Sequence, residues 1–212
     1  MTGPVCVLSS DIKPWFNIHL VAMHIAKRFV TLWLVLWCSL LTADDTQVPL
    51  YEQEPFDQIK LNNANGNQVL KVRPLDLPNR RVPPDFNKGD PLEFYRYDNP
   101  HELLTVDRHA IVTIELFENL VLKKANSLTG TGQFDEAYWH YYHLTQNYPN
   151  TENLNARLEG FLVRNAGQSF QAKDYLETLA LLREAQTLNP QKEGLSKRIG
   201  IVLNRLIEQH FK

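Results

Sequence analysis

A stretch that returns after 41 residues limits what this chain can fold into. The first copy reads Gly132-Gln-Phe134-Asp-Glu-Ala137, followed by Tyr141, Leu144 and Pro149. The second reads Lys173-Asp-Tyr175-Leu-Glu-Thr178, followed by Leu182, Ala185 and Pro190. Upstream, Ala125 and Ala166 match at the same offset. A small residue facing a partner helix, an aromatic at the bend, a large apolar residue and a closing proline turn describe a helical hairpin that packs on a copy of itself. Stacked hairpins make binding surfaces more often than active sites, so the pattern leans away from catalysis.

The surrounding periodicity extends this to five helices. Phe117, Leu120, Val121, Ala125 and Leu128 keep helical spacing, and Thr129 to Gly132 breaks it. Helices are expected over 135–147, 156–171, 174–188 and 195–211. About seven residues beyond a 34-residue period lie near Asn150–Arg157, lengthening a connection or the following helix. The last helix carries Ile199, Leu203, Leu206 and Ile207 with no partner after it, so either it caps the array or the natural chain continues.

The residues before the helices read as strands. Asn65-Gly66 suggests a two-residue hairpin turn, which sets Leu61 opposite Leu70 and Ile59 opposite Val72, with Lys60 and Lys71 opposed on the wet face. Leu92–Tyr97, Leu103–Val106 and Ile111–Glu115 are further β-type runs. About five short strands with tight turns are expected to close into a small barrel or a curled sheet. Pro74, Pro78, Pro83, Pro84 and Pro91 mark a long link between them. Arg80-Arg81 in that link is expected to be a pair of solvated charges, with contact to an acidic partner as the other choice. The fold class is therefore α+β: a small β unit over 51–115, then a helical array over 116–212.

At the front, Lys27-Arg28 precedes a run of 13 mostly apolar residues, Phe29 to Leu41, with Ala43 and then Asp44-Asp45. Residues 23–43 thus have the layout of a secretory leader, and the apolar run is short for a membrane span, which needs roughly 20 residues. Met23 reads as the natural start and residues 1–22 as an upstream extension. Both cysteines, Cys6 and Cys38, lie in this front part, so no disulfide staples the remainder. A formal charge of −2 over 212 residues gives no footprint for nucleic acid.

The motif Gly-Gln-Phe-Asp-Glu-Ala with Tyr141, Leu144 and Pro149 resembles the tetratricopeptide repeat over about 118–190. The second copy departs at Lys173, which replaces the turn glycine, and at Thr178, which replaces the alanine. The resemblance implies protein or peptide binding on a face lined by the first helix of each pair. By position that face takes in Asn119, Leu122, Asn126, Val163 and Phe170; Leu122, Val163 and Phe170 read equally well as packing residues. Trp139 and Tyr142 fall off the core face and stand as partner anchors or as covers for a neighbouring element. The leader, the segments Pro-Phe-Asp-Gln-Ile-Lys-Leu and Pro-Leu-Asp-Leu-Pro-Asn-Arg-Arg, and the repeats together resemble the N-terminal region of certain planctomycete exported proteins. Some of those carry a solute-binding domain of peptide-transporter type.

No catalytic constellation is expected, and no cofactor. Glu136, His140 and His143 share a helix face, but ordinary surface or interface histidines account for them better than a metal site does. The expected function is a non-enzymatic, exported interaction module of the bacterial cell envelope, acting on a protein or peptide partner. The alternative is the accessory region of a larger transport or hydrolytic protein whose chemistry lies beyond residue 212.

Overall fold

In strand β1 (Asp57–Leu61), Asp57, Ile59 and Leu61 alternate with wetter residues and are all buried. The computed structural model describes residues 48–211; the expected extension over 1–22 and leader over 23–43 lie outside them. β1 is the centre of a three-stranded antiparallel sheet, flanked by β2 (Val69–Val72) and β5 (Ile111–Glu115). Strands β3 (Leu92–Tyr95) and β4 (Leu103–Val106) form a separate hairpin. One isolated bridge, Val72 to Arg96, joins the two sheets.

The five strands are present, but they do not close. The β3–β4 hairpin meets β2 only at its end, through the Val72–Arg96 bridge, and the proline-rich link runs between them. Its own side chains fill the interior instead. Leu75 and Phe86 bury in one cluster with Ile59, Val72, Leu92, Phe94 and Ile111.

The hairpin register also differs from the expected one. Ile59 faces Leu70 and Asp57 faces Val72, two residues away from the expected pairing. The cause is the turn. Asn62 accepts the Asn65 backbone N–H on its side chain, a 3-10 turn spans Asn63–Asn65, and Gly66 takes φ 70 at its end. The loop is longer than two residues, and a shift of two keeps every side chain on its face. Lys71 consequently lies opposite Gln58 rather than Lys60, with Nζ 3.7 Å from the Phe56 ring centre and 3.9 Å from that of Tyr97.

Only Leu116 separates β5 from the first of five helices: α1 (Phe117–Thr131), α2 (Phe134–Asn147), α3 (Leu154–Gln171), α4 (Tyr175–Leu188) and α5 (Leu195–His210). α1 packs along α2, α3 along α4, and α4 along α5. Residues related by 41 positions have matching burial. Ala125 and Ala166, Ala137 and Thr178, Tyr141 and Leu182, and Leu144 and Ala185 are all buried. Gly132 and Lys173 both take the left-handed conformation, with φ 79 and φ 64. The offset continues to Asn153 and Gly194, again both left-handed, and to Leu154 and Leu195, both buried. Part of the extra length before α4 lies in α3 itself, 18 residues against 15 in α1. α5 differs from α3 on one face. Leu203 and Ile207 are 37% and 56% exposed, whereas their counterparts Leu162 and Ala166 are buried. No helix among the described residues is long and apolar enough to cross a membrane.

Candidate functional site

Asp57 stands on the buried face of β1, at 0% exposure, and a carboxylate there needs several partners. It has four. Its Oδ1 accepts the Phe117 backbone N–H at 2.9 Å and Arg80 Nη2 at 2.8 Å; its Oδ2 accepts the Leu75 backbone N–H at 2.7 Å and Arg80 Nη1 at 2.9 Å. Phe117 is the first residue of α1, whose N-cap Leu116 offers no side-chain acceptor. A strand 60 residues upstream therefore supplies the missing cap, with its charge at the positive end of the helix.

Arg80 joins this carboxylate to a second one. Nε and Nη2 donate to Glu118 at 3.1 and 2.8 Å, and Nη1 also donates to the Leu75 carbonyl at 2.9 Å. Glu118 is itself buried. Burial alone would lower the Arg80 pKa, but the hydrogen bonds to Asp57 and Glu118 outweigh it and hold the guanidinium charged, further above its ordinary value. Arg80 is thus an internal clamp and not a solvated charge; Arg81 beside it is exposed. The clamp imposes a local cost, since Asn79 and Arg80 adopt φ 51 and φ 53, where residues other than glycine are strained. One sequence signal pointed here: Asp57 shares the parity of Ile59 and Leu61, and a carboxylate on a buried face demands a cation.

The clamp fixes one wall of an open cleft of about 800 Å³. Arg81, Asn119, Asn147, Asn150, Thr151 and Glu152 supply most of its polar lining, and Tyr148 and Pro149 contribute ring surface. Every nitrogen of the Arg80 side chain is already engaged by protein acceptors, so Arg81 is the cation left to meet a ligand in this cleft.

The seven candidate partner-binding residues separate into four groups. Asn119 is exposed and lines the cleft. Leu122 is buried, and Val163 and Phe170 pack against the same core, Phe170 with its ring 5.4 Å from that of Tyr175. Asn126 accepts the buried Tyr141 hydroxyl at 2.9 Å, so its side chain holds the α1–α2 contact. Trp139 and Tyr142 lie on the outer face of α2, at 51% and 47% exposure, together with Tyr138 at 48%. Their rings pack on one another: Tyr138 is stacked on Tyr142 at 6.1 Å, and Trp139 stands edge-on to both at 5.4 and 5.9 Å.

α2 also carries two histidines, turned away from the solvent. His140 is fully buried, so of the two positions expected of it, surface or interface, the surface one does not hold. Its Nδ1 donates to the Glu136 carbonyl at 2.9 Å and the Tyr51 ring meets it edge-on at 4.7 Å. His143 is half-buried between the rings of Phe117 and Tyr148. Neither Nε2 has a hydrogen-bond partner among the described residues. Burial pushes the pKa of both down, and for His143 the charge of His140 pushes the same way. No group of three or more His, Cys, Asp or Glu side chains among the described residues is placed to hold a metal ion.

No protein-family model matches the chain, and comparison with curated proteins and with solved structures gives no match either.

Proposed function

We propose that this chain is an exported, non-enzymatic interaction module of the bacterial cell envelope: a small β unit carrying a tetratricopeptide-like helical adaptor that recruits a protein or peptide. The observation that carries this is the outer face of α2. Three large aromatic side chains are each about half exposed and pack on one another. Tyr and Trp dominate the energetics of protein interfaces because they bury much area at low entropy cost. The leader-like layout of residues 23–43 supports export.

The test is selection of binders from a random-peptide display library against the full chain, compared with the double variant Trp139→Ala, Tyr142→Ala. Loss of at least about tenfold in affinity in the variant, with an unchanged circular dichroism spectrum, is expected for hot-spot residues. Binders that ignore both substitutions and also ignore Asn119→Ala remove the proposal.

A second proposal has one observation in its favour. Leu203 and Ile207 on α5 are exposed at positions equivalent to Leu162 and Ala166, which are buried in α3. An additional element packed there would make this chain the accessory region of a larger transport or hydrolytic protein. The reading frame downstream of Lys212 decides between the two.

A further inference from the structure

We infer that the outer face of α2 takes a lysine- or arginine-bearing segment of its partner, held by cation–π contact with Tyr138, Trp139 and Tyr142. This rests on the interaction-module reading above and adds the chemistry of the partner.

Ring geometry gives the first reason. The Tyr138 and Tyr142 planes are 22° apart, and the Trp139 plane stands at 75° and 85° to them. An apolar side chain is nearly indifferent to ring orientation. A cation is attracted to the negative face of an aromatic ring, and at about half exposure these three rings leave ring surface open to it.

Charge gives the second. α2 contains no Lys or Arg, and its first turn carries Asp135 and Glu136. Asp135 lies one helical turn before Tyr138 and Trp139, on the same outer face. The adjoining groove of about 470 Å³ adds Asp174 and Glu177, and no basic residue lines it. Lys124 lies 3.8 Å from Glu136 and is the single salt-bridge partner that these four carboxylates have among the described residues. An acidic segment meets like charge here, and a second copy of this same face would set carboxylate against carboxylate. Exposed rings beside uncompensated negative charge fit a cationic side chain with an aliphatic stem, which covers the rings while its head remains near Asp135.

The test uses the full chain with ¹⁵N-labelled tryptophan; loss of one indole resonance in Trp139→Phe assigns Trp139. The probes are Gly-Lys-Gly-Lys-Gly-Lys-Gly and the same peptide with Glu for Lys. The lysine peptide is expected to shift the Trp139 indole saturably at concentrations on the order of millimolar, and the glutamate peptide to leave it in place. Asp135→Asn should weaken the lysine peptide by roughly threefold, and added salt should do the same. Equal response to both probes, or no response to the lysine peptide, overturns the inference. The display selection separates this failure from failure of the interaction module. Trp139-dependent binders without Lys or Arg enrichment overturn the cationic partner alone. Absence of any Trp139-dependent binder overturns both.

Discussion

The guanidinium of Arg80 grips the carboxylate of Asp57 through two parallel hydrogen bonds of 2.8 and 2.9 Å, and it does so in a segment whose composition reads as an exposed loop. Two neighbouring arginines consequently have opposite status. Arg80→Ala leaves Asp57 and Glu118 buried without their cation, and should cost about 3–5 kcal/mol. Arg81→Ala should stay within about 0.5 kcal/mol of the parent protein. Arg80→Lys keeps the charge but has three donors where Arg80 makes five hydrogen bonds, and cannot grip both carboxylates bidentately, so it should fall between the two. Urea unfolding followed by circular dichroism measures all three; equal midpoints for the two alanine variants refute the clamp.

Acid should weaken the fold through the histidines before it reaches the carboxylates. His140 and His143 have folded-state pKa values below the ordinary 6.5, so the unfolded chain takes up their protons first. Stability is then complete above about pH 6.5 and falls as pH drops through that value toward the folded-state pKa values. The groups facing His140 are Glu136 on its own helix, Lys124 on α1, Tyr51 on the N-terminal turn and His143. The double variant His140→Phe, His143→Phe should show a flatter melting temperature between pH 7.5 and 5.5. An unchanged slope would place the pH dependence elsewhere.

Lys173 holds a backbone conformation that Gly132 holds at the equivalent turn. Lys173→Gly should therefore stabilise the protein by up to about 1 kcal/mol, and Gly132→Ala should destabilise it by a similar amount. A Cβ added at Gly132 meets nothing within 4 Å, so crowding adds nothing to that figure. Thermal melts of the two variants should shift in opposite directions.

Equivalent residues of α3 and α5 should respond unequally. Leu162→Ala opens a cavity in the core and should cost about 2–5 kcal/mol. Leu203→Ala, at the same position one repeat later but exposed, should cost less than about 1 kcal/mol. Similar losses at both sites would mean that the outer face of α5 is covered in solution.

The helical half was legible because its signal is periodic and local. Ala125, Ala137, Tyr141 and Leu144 are buried where the spacing put them, and so are their counterparts 41 residues later. The β half was legible in its strands but not in its closure. Register depended on how Asn62 folds the turn, a choice made by one side-chain hydrogen bond and invisible to alternation. Arg80 was misread because its partners lie 23 and 38 residues away in sequence, and nothing in the proline-rich link names them. At the outer face of α2, sequence spacing put Trp139 and Tyr142 off the core side but could not say whether another element covered them. Asn126 shows the reverse limit: a polar residue placed on a binding face serves Tyr141 instead.

Asp57 also ties the two halves into one cooperative unit. Its carboxylate terminates the first helix, neutralises the clamp and sits within the central strand, so none of these can be completed while another is absent. A fragment cut at Leu116 would begin with an uncapped helix and an orphaned Glu118, and should be less helical than residues 116–212 are in the intact chain. Unfolding should accordingly be a single transition, with strand and helix signals lost together. The contact of β1 with the start of α1 spans 60 residues of chain, a non-local pairing of the kind that slows folding relative to local helix formation.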